Sequence, residues 1–428
     1  MTKKVAEQLQ LLKRGTIQIF TEDEFSEKLI QAAKTGRQLR IKLGLDPTSP
    51  DIHLGHTVVL RKMRQFQNLG HKAVLIIGDY TARIGDPSGQ DTTRPMLSPE
   101  QIDENAKTYL QQAGKILDTS EEKLEIRYNS EWLSDLGLAD IIKLTSSMTV
   151  ARMLERDTFE LRYKKGDPIG IHEFLYPLMQ GYDSVIVESD IELGGTDQTF
   201  NNLVGRDLQR IAGQSPQIVI TTPILVGLDG KEKMSKSKGN YIGVTDEPND
   251  MFGKVMSISD DMMENYFTLL TDLPEDQIAE LLNPDTTHPM QAKIQLGQMI
   301  VAQFYDTDSI DTTASTSYEP AADEPPTGTV TFGAVADATA AEFISVFSEK
   351  QLPARIPEIE TKTKPMMASK LLLHCKLVQS GSEAKRMIRQ SAVTIDGKKV
   401  TDPNAEITPT SGMVIQVGKR KFAKLKVK

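Results

Sequence analysis

Two histidines three positions apart, His53 and His56, are the first residues whose types and spacing could do chemistry. They lie in the stretch SPDIHLGH, in which Ser49, Pro50 and Asp51 predict the start of a helix. A serine can cap the helix, a proline suits the first helical position, and a carboxylate in the first turn complements the helix dipole. The two imidazoles would then share one face of the first turns. A helix N-terminus with donor side chains is suited to phosphate groups.

Gly55 lies between the two histidines and has no side chain, so a flat ligand could approach the backbone there. Taken alone, an HxxH pattern is more typical of a surface or capping role than of phosphate binding. A metal site is less favoured still, because no third ligand has suitable spacing. The single cysteine, Cys375, excludes a disulfide framework and any multi-cysteine metal site.

A second candidate is the lysine-rich stretch KEKMSKSKGN at 231–240. A flexible polar loop with convergent cations is suited to holding a polyphosphate whose charge increases in a transition state. A solvated lysine-rich loop is the alternative for this stretch taken alone. The residues concerned are Lys233, Met234, Ser235, Lys236, Ser237, Lys238 and Gly239.

The elements that would position these residues follow from the apolar pattern of the first half. Strand-like runs alternate with helical patterns, which predicts βαβ units, a parallel sheet and therefore an α/β fold. Ligands of such sheets bind at the carboxyl ends of the strands, so the GLDPTSP and GDPSG stretches, which follow strand-like runs, should line one crevice. The predicted strands are 39–45, 73–79, 124–129, 184–189 and 217–224.

Composition separates a basic C-terminal part from an acidic body. Residues 366–428 hold 13 Lys and Arg against 4 Asp and Glu, whereas the whole chain of 428 residues has a net charge of −9. This asymmetry indicates local contact with a polyanion. The chain has no run of 18 apolar residues and no signal-peptide pattern at its start, so we expect a cytoplasmic protein without a membrane span.

From about Glu247 the pattern becomes helical, and a stretch rich in Thr, Ala, Pro and Asp follows. No lysine or arginine occurs between Lys293 and Lys350, which predicts an acidic surface insertion near 311–340. We expect four parts: an α/β domain over 1–230, a loop and helical region over 231–350, a linker over 351–365, and a basic domain over 366–428.

HLGH near the first helix and KMSKS after the last strand together resemble the signature pair of class I aminoacyl-tRNA synthetases. The segments LGLDPTSPDIHLGH, IIGDYTARIGDPSG, YPLMQGYDSVIV and ELGGTDQTFN resemble the tyrosyl-tRNA synthetases in particular. The C-terminal ASKLLLHCKLVQSGSEAKRMIRQSAVTIDGKKV is similar to a small α+β RNA-binding fold of a ribosomal small-subunit protein. The resemblance implies a Rossmann-like catalytic domain, a helical anticodon-binding domain and an RNA-binding C-terminal domain.

The implied reaction joins tyrosine to the α-phosphate of ATP, releases pyrophosphate, and passes the tyrosyl group to the 3′ end of tRNA(Tyr). No covalent enzyme intermediate is implied, and Mg²⁺ would arrive with ATP. The resemblance gives His53, His56, Lys233 and Lys236 the catalytic role of holding the phosphates. The implied ATP-binding residues are Asp46, Thr48, His53, Gly55, His56, Asp197, Lys233, Met234, Ser235, Lys236 and Ser237.

Five residues match the tyrosine-binding positions of the family. Tyr176, Gln180 and Asp86 would hold the ammonium group, Asp183 the phenol, and Gln198 the carboxylate region. Tyr176 and Gln180 are four apart and share one helix face, so ordinary packing is the alternative for them. For Asp86 the alternative is a turn before proline.

The implied tRNA contacts lie on the basic tail, where a solvated cationic surface is the alternative. They are Lys385, Arg386, Arg389, Lys419, Arg420 and Lys421. The family also implies a homodimer.

Some positions depart from the best-known bacterial branch. Lys42 and Leu43 stand where that branch has a tyrosine touching the phenol and a cysteine touching the ribose. Gln90 replaces a lysine, with Arg94 nearby, and KMSKS replaces KFGKT. The chain thus resembles the second bacterial branch, and the second partner of the phenol is open.

Three other functions compete with this one. Tryptophanyl-tRNA synthetases share the signatures but lack the basic tail. Nucleotidyl-transferring enzymes such as cytidylyltransferases or pantothenate synthetase share the HxGH logic but not the RNA-binding parts. A non-catalytic RNA-binding relict would not need HLGH and KMSKS intact.

Overall fold

The computed structural model describes residues 3–47, 51–84, 98–306, 332–347, 356–418 and 421–427. The chain forms two compact units, Met1–Ala336 and Asp337–Lys428. Several residues singled out in the sequence lie outside the described ranges, as do residues 311–331 of the proposed insertion. They are Thr48, Ser49, Pro50, Asp86, Gln90, Arg94, Lys419 and Arg420.

A six-stranded sheet forms the centre of the first unit. Its order is β1-β6-β5-β2-β3-β4, with β1 antiparallel to β6 and every other pair parallel. This confirms the predicted α/β, Rossmann-like fold class. The strands are β1 Gln18–Phe20, β2 Arg40–Leu45, β3 Lys72–Ile77, β4 Leu124–Tyr128, β5 Ile191–Gly195 and β6 Ile218–Thr222.

Helices and short 3-10 turns surround this sheet. The 3-10 turns are Thr81–Arg83, Ile171–Phe174, Thr196–Gln198 and Asp260–Met262. None of the described helices is long and apolar enough to cross a membrane. The helices are α1 Lys3–Lys13, α2 Glu22–Thr35, α3 Leu54–Asn68, α4 Pro99–Ala113, α5 Ser130–Leu133, α6 Leu138–Thr145, α7 Val150–Met153, α8 Asp157–Lys165, α9 Leu175–Ile186, α10 Thr199–Ile211, α11 Pro248–Val255, α12 Met263–Leu270, α13 Glu275–Leu281, α14 Pro289–Tyr305 and α15 Ala334–Phe347, the last of which spans the boundary between the units.

The order of the strands creates a crevice between β2 and β5. From β2 the chain proceeds outward through β3 and β4, then returns to place β5 and β6 on the other side of β2. Helices that leave two adjacent strands in opposite directions open a cleft at the carboxyl ends of those strands. The cleft therefore lies beyond Leu45 and Gly195, next to the residues that the sequence singled out.

One predicted strand is wrong. Residues 184–189 are the end of α9 and the turn after it, and the strand is Ile191–Gly195 instead. The β-branched residues of this run favour a strand locally, but α9 packs along α10, and Ser184 is fully buried with its hydroxyl bonded to Glu192. Tertiary packing has overridden local propensity here. The edge strand β1 was not predicted.

The second unit is a small α+β fold, as expected. A five-stranded sheet of order β10-β9-β12-β13-β7 packs with two helices around an apolar core that includes Leu371, Ile388 and Ile415. β7 pairs in parallel with β13, so part of the segment interpreted as a linker belongs to this sheet. Its elements are β7 Glu358–Thr361, β8 Met366–Met367, α16 Ala368–His374, α17 Gly381–Arg389, β9 Val393–Ile395, β10 Lys398–Lys399, β11 Glu406–Ile407, β12 Val414–Val417 and β13 Lys421–Val427.

Candidate active site

A cavity of about 510 Å³ occupies the crevice at the carboxyl ends of β2 and β5. HLGH, α9, the end of β5 and the KMSKS loop converge on it. Lys236 is placed at its mouth by a contact with Asp51, which lines the cavity. The predicted residues that line it are Asp46, His53, Gly55, His56, Tyr176, Gln180, Asp183, Asp197, Gln198, Lys233, Met234, Ser235 and Ser237.

His53 is the N-cap of α3, so the predicted helix start at Ser49 to Asp51 is wrong. The helix begins at Leu54, and His53 has extended backbone angles of φ −121° and ψ 168°. Its Nδ1 accepts a hydrogen bond from the N–H of Gly55 at 3.2 Å, and Nδ1 of His56 accepts from the N–H of His53 at 3.2 Å. The side chains of the two histidines thus satisfy N–H groups that a helix start leaves open.

Burial determines the charge of the imidazoles, and these two hydrogen bonds determine which ring nitrogen carries the proton. Burial, together with the neighbouring imidazole, lowers the pKa of His53 to about 3. Burial, together with the Lys233 charge, lowers the pKa of His56 to about 4. Both rings are therefore neutral at pH 7, and because Nδ1 is an acceptor in each, the proton is on Nε2. Each ring is left with one N–H donor, at the N-terminus of a helix, which is suited to a phosphate oxygen.

Backbone pairing brings the KMSKS loop at 233–237 to HLGH at 53–56, although the two motifs are far apart in the chain. The N–H of Leu54 donates to the carbonyl of Ile242 at 2.9 Å, and the N–H of Val244 donates to that of Ile52 at 3.1 Å. Asn240 shapes the loop itself, since its Oδ1 accepts from the N–H of Ser235 at 2.8 Å. The segment after KMSKS thus anchors the loop beside the start of α3.

The lysines of this loop contact carboxylates. Lys236 forms an ion pair with Asp51, and Nζ of Lys233 lies 3.8 Å from Oδ2 of Asp197. Each of the four side chains is at least one-third exposed, so these ion pairs are weak and easily exchanged. A bound polyphosphate would offer Lys233 and Lys236 a stronger partner than either carboxylate. The loop therefore holds its cations next to the site without neutralising them permanently.

Asp46 is held rigidly at the end of β2. Its Oδ2 accepts from the hydroxyl of Tyr176 at 2.8 Å, and its Oδ1 accepts from the hydroxyl of Thr81 at 2.9 Å. The carboxylate lies against Gly78, where an added Cβ would be 1.9 Å from Oδ1. Only glycine fits at that position, because the backbone just after β3 must approach the carboxylate closely.

Asp183 is a buried carboxylate at the end of the cavity lined by α9. Its Oδ1 accepts from Nε1 of Trp132 at 2.9 Å, and its Oδ2 accepts from Nδ2 of Asn129 at 3.4 Å. Burial raises the pKa of Asp183 to about 7, against the opposing charge of Lys42. Both of these donors are neutral, and none of the ion pairs among the described residues includes Asp183, so a ligand hydroxyl would add a further hydrogen bond to its charge.

Amide side chains connect α9 to the end of β5. Nε2 of Gln180 donates to Oδ1 of Asn202 at 3.0 Å, and Nδ2 of Asn201 donates to Oε1 of Gln180 at 3.0 Å and to Oε1 of Gln198 at 3.1 Å. The predicted residues Gln180 and Gln198 are thereby joined through Asn201. The site accordingly has an acidic end at Asp183, an amide-lined middle, and a cationic mouth.

Sequence reasoning missed several residues of this site. Asn129 follows β4 directly, and Thr81 follows β3 within a few residues, so the rule that ligands gather at strand carboxyl ends could have found them. Trp132, the single tryptophan, and Tyr109, whose ring meets His56 edge-on at 6.1 Å, had no comparable signal.

The predicted tRNA-binding residues that the structure describes lie on the second unit. Lys385, Arg386 and Arg389 are exposed on α17, whose Ala384 and Ile388 are buried. Lys421 is exposed on β13, and its Nζ donates to the carbonyl of Leu377 at 3.0 Å. The structure therefore places three of the cations together on one helix.

Known proteins resemble this chain over almost its full length. A tyrosine–tRNA ligase of Moorella thermoacetica is 46% identical over 428 residues, covering 99% of this chain and 97% of the relative. One from Burkholderia thailandensis is 50% identical, covering 99% and 96%. A solved tyrosyl-tRNA synthetase from Archaeoglobus fulgidus, complexed with L-tyrosine, covers 71% of this chain and 99% of its own at 24% identity and a TM-score of 0.57, which supports the fold.

Two families match the chain in succession. Residues 349–425 match the tyrosine–tRNA ligase SYY-like C-terminal domain. Residues 34–319, which contain the whole cavity, match the class I tRNA synthetases of the W and Y type. The chain belongs to the class I tRNA synthetases, and within them to the tyrosine–tRNA ligase family.

Proposed function

We propose that this enzyme activates L-tyrosine with ATP, forms tyrosyl-adenylate and pyrophosphate, and transfers the tyrosyl group to the 3′ end of tRNA(Tyr). The observation that carries the choice of tyrosine is Asp183, a buried carboxylate that lines the cavity. It can accept a hydrogen bond from a phenol, which phenylalanine does not have. The tryptophan alternative is less favoured, since the matching C-terminal domain is of the tyrosine–tRNA ligase type.

In the activation step, the residues of the mouth would act on the phosphates of ATP. His53 and His56 would donate from Nε2, while Lys233 and Lys236 would exchange Asp197 and Asp51 for the pyrophosphate oxygens. Fixed donors aimed at developing charge stabilise a transition state without reorganising. Of the other proposed ATP contacts, Gly55 cannot carry a larger side chain easily, because an added Cβ would lie 3.0 Å from the ring of His53.

At the other end, the residues of α9 would hold tyrosine. Tyr176 and Gln180 lie one turn apart on the cavity side of α9, as ammonium ligands should, and Asp183 lies just beyond for the phenol. Positioning the tyrosine carboxylate next to the α-phosphate would account for most of the catalysis, because the carboxylate attacks directly, pyrophosphate leaves, and no covalent enzyme intermediate is required.

Mg²⁺ would enter with ATP. Among the described residues, no group of three or more His, Cys, Asp or Glu side chains is arranged to hold a metal ion. Mg²⁺ commonly binds through one or two carboxylates together with substrate phosphates. Asp51 and Asp197, freed from the lysines, are carboxylates next to the phosphate site and fit that donor set.

For tRNA we propose that the helical region before the second unit contacts the anticodon arm and that Lys385, Arg386 and Arg389 contact the phosphate backbone. Exposed cations grouped on one helix suit phosphates. Such a ligase would act in the cytoplasm.

We further propose a homodimer. The segment between β4 and α9 exposes several large apolar side chains, and apolar side chains that group on a surface would mark an interaction site. They are Leu138, Ile142, Val150, Leu161, Tyr163 and Ile171.

The test of the proposed function is ATP–pyrophosphate exchange with each amino acid in turn. We expect tyrosine alone to stimulate exchange. Stimulation by tryptophan would support the sister activity, and no stimulation by any amino acid would support a non-catalytic RNA-binding protein. Tyrosylation of a tRNA(Tyr) transcript then tests the second step.

A further inference from the structure

Lys42 is fully buried behind α9, and its ammonium group is wholly occupied there. Nζ donates to Oε1 of Glu192 at 2.7 Å, to Oγ of Ser184 at 2.7 Å, and to the carbonyl of Gln180 at 2.8 Å. An ammonium has three donors, and these partners use all three. The lysine that replaces the family's usual tyrosine is therefore not a partner of the phenol, and its role must be sought among the groups it contacts.

Glu192 is equally buried, and its carboxylate is surrounded by donors. It accepts from Lys42, from Ser184 at 3.1 Å and from Nε2 of Gln217, and Nε2 of Gln180 lies 3.5 Å from Oε1. An ionised carboxylate accepts hydrogen bonds and donates none. Every group that faces Glu192 must therefore present a hydrogen to it.

This requirement determines the orientation of two amides that face the substrate cavity. If the amide of Gln180 were reversed, its oxygen would face the Glu192 carboxylate, so Nε2 must point that way. Nε2 also donates to Oδ1 of Asn202 at 3.0 Å, which in turn places Nδ2 of Asn202 on the opposite side. The buried ion pair thus dictates which atom Asn202 offers to a ligand.

Nδ2 of Asn202 is a buried donor that has no hydrogen-bond partner in the part of the chain that the structure describes. Asn202 is 1% exposed and lines the cavity. Gly194, at the end of β5, also lines the cavity and lets this amide lie close to the strand, because an added Cβ there would lie 2.6 Å from Nδ2 and 3.1 Å from Cβ of Gln198. A buried donor without a partner, next to Gln198, indicates a missing acceptor from a ligand.

We propose that Asn202 is a further substrate-binding residue, which donates from Nδ2 to the α-carboxylate of the amino acid, and that Lys42 and Glu192 are positioning residues for it. The proposal rests on the proposed function. Of the polar groups of tyrosine, the ammonium donates and the phenol is directed to Asp183, so the carboxylate is the group that only accepts. A donor on one carboxylate oxygen would leave the other oxygen to attack the α-phosphate of ATP.

Binding of tyrosine and of tyrosinol, which has an alcohol in place of the carboxylate, tests the proposal. Trp132, the single tryptophan, donates to Asp183 inside the cavity, so its fluorescence should report both ligands in the full-length protein. Asn202→Leu keeps the branched shape of the side chain and removes the donor. We expect Kd for tyrosine to rise by ~10- to 150-fold, as for loss of a hydrogen bond to a charged group, and Kd for tyrosinol to change less than ~3-fold.

Other outcomes would overturn the proposal. Equal weakening of tyrosine and tyrosinol would mean that Asn202 only packs the site, and unchanged binding of both would mean that Nδ2 meets no ligand. An increase confined to KM for ATP would assign the donor to the nucleotide. Asn68→Leu, an exposed change at the end of α3, is the matched control. Tyrosine-dependent exchange by the wild-type enzyme is measured alongside, so failure of the proposed function would be recognised separately.

The positioning role is tested by a double-mutant cycle. Lys42→Met with Glu192→Leu replaces the ion pair by apolar side chains of similar volume, which buried pairs often tolerate. In that background the amides are free to turn, so adding Asn202→Leu should raise Kd for tyrosine by less than ~3-fold. A full effect of Asn202→Leu there would refute the positioning role while leaving the carboxylate contact intact.

Discussion

Asp183→Asn should make the protein more stable and less selective, both in a pH-dependent way. Burial raises the pKa of Asp183 from its ordinary value of 3.8 to about 7. The unfolded chain therefore ionises this group near pH 4 and the folded chain only near pH 7. Between about pH 4 and pH 7 the folded state keeps a proton on Asp183 that the unfolded state has lost. The folded state is therefore progressively destabilised relative to the unfolded state as the pH rises through this range.

The size of the effect follows from the same values. A pKa that rises from 3.8 to about 7 corresponds to roughly 4 kcal/mol of destabilisation above pH 7 and to nothing below pH 3.8. Asparagine has the same shape and no charge to bury. We therefore expect the free energy of unfolding of Asp183→Asn to exceed that of the wild type by up to about 4 kcal/mol at pH 8, and the difference to disappear at about pH 4.

Although Asp183→Asn should raise stability at pH 8, it should lower the selectivity for tyrosine over phenylalanine at that pH. The charged carboxylate accepts the hydrogen of the tyrosine phenol, and a hydrogen bond to a charged group contributes about 1.5–3 kcal/mol. The ratio of kcat/KM for tyrosine to that for phenylalanine in pyrophosphate exchange should fall by ~10- to 150-fold. Adenylate formation at saturating tyrosine should be slowed much less.

Urea unfolding at several pH values and exchange assays with both amino acids measure these quantities. The matched control is Asp190→Asn, because Asp190 is also buried but accepts two hydrogen bonds from Arg37 and one from the N–H of Arg40. That change should lower stability at pH 8. A stability difference for Asp183→Asn that did not vary between pH 4 and pH 8, or an unchanged selectivity, would refute the reasoning.

Three further predictions concern the phosphates and the tRNA. Lys236→Ala should slow adenylate formation by ~100- to 1,000-fold and leave Kd for tyrosine unchanged, as expected for loss of one donor to a developing charge. The control Lys231→Ala, at an exposed position of the same loop, should not slow it. Single-turnover rates near those of the wild type would remove Lys236 from the mechanism. Because the pKa values of His53 and His56 lie at about 3 and 4, the ring-proton NMR signals of neither imidazole should titrate between pH 5.5 and 7.5, and a midpoint near 6.5 for either ring would contradict neutral rings. Truncation after Ile356 removes β7 together with its partner β13. It should abolish tyrosylation of tRNA but preserve pyrophosphate exchange. Tyrosylation of tRNA by the truncated enzyme would show that the sheet of the second unit is dispensable.

Much of the site could be predicted from the sequence because its parts are local. HLGH and KMSKS carry their chemistry in consecutive residues. The strand run that follows α3 is a continuous apolar segment, and the run that precedes Asp46 is interrupted by Arg40, Lys42 and Gly44. Tyr176, Gln180 and Asp183 are spaced to share one helix face, and the structure places all three at the cavity. The rule that ligands gather at strand ends then predicts a common crevice.

Local reasoning failed where long-range contacts compete with it. The run at 184–189 has the β-branched residues of a strand, yet packing against α10 retains its first part as helix. The serine and proline before HLGH are a typical helix start, yet His53 caps α3. The reason is that Nδ1 of His53 accepts from the N–H of Gly55, and that segment 242–244 forms backbone hydrogen bonds with Ile52 and Leu54, the residues on either side of His53. Propensities are too weak to oppose such contacts.

By itself, then, the sequence determined the fold class and revealed the two motifs that we propose for phosphate binding and the helix face that we propose for tyrosine, since each depends on residues close together in the chain. Only the tertiary structure decided the electrostatic state of the site. The neutral imidazoles, the raised pKa of Asp183 and the orientation of Asn202 all come from burial and from partners far away in sequence, such as Trp132 and the Lys42–Glu192 pair. Desolvation and hydrogen-bond partners exist only once the chain has folded, so no pattern of residue types could show them.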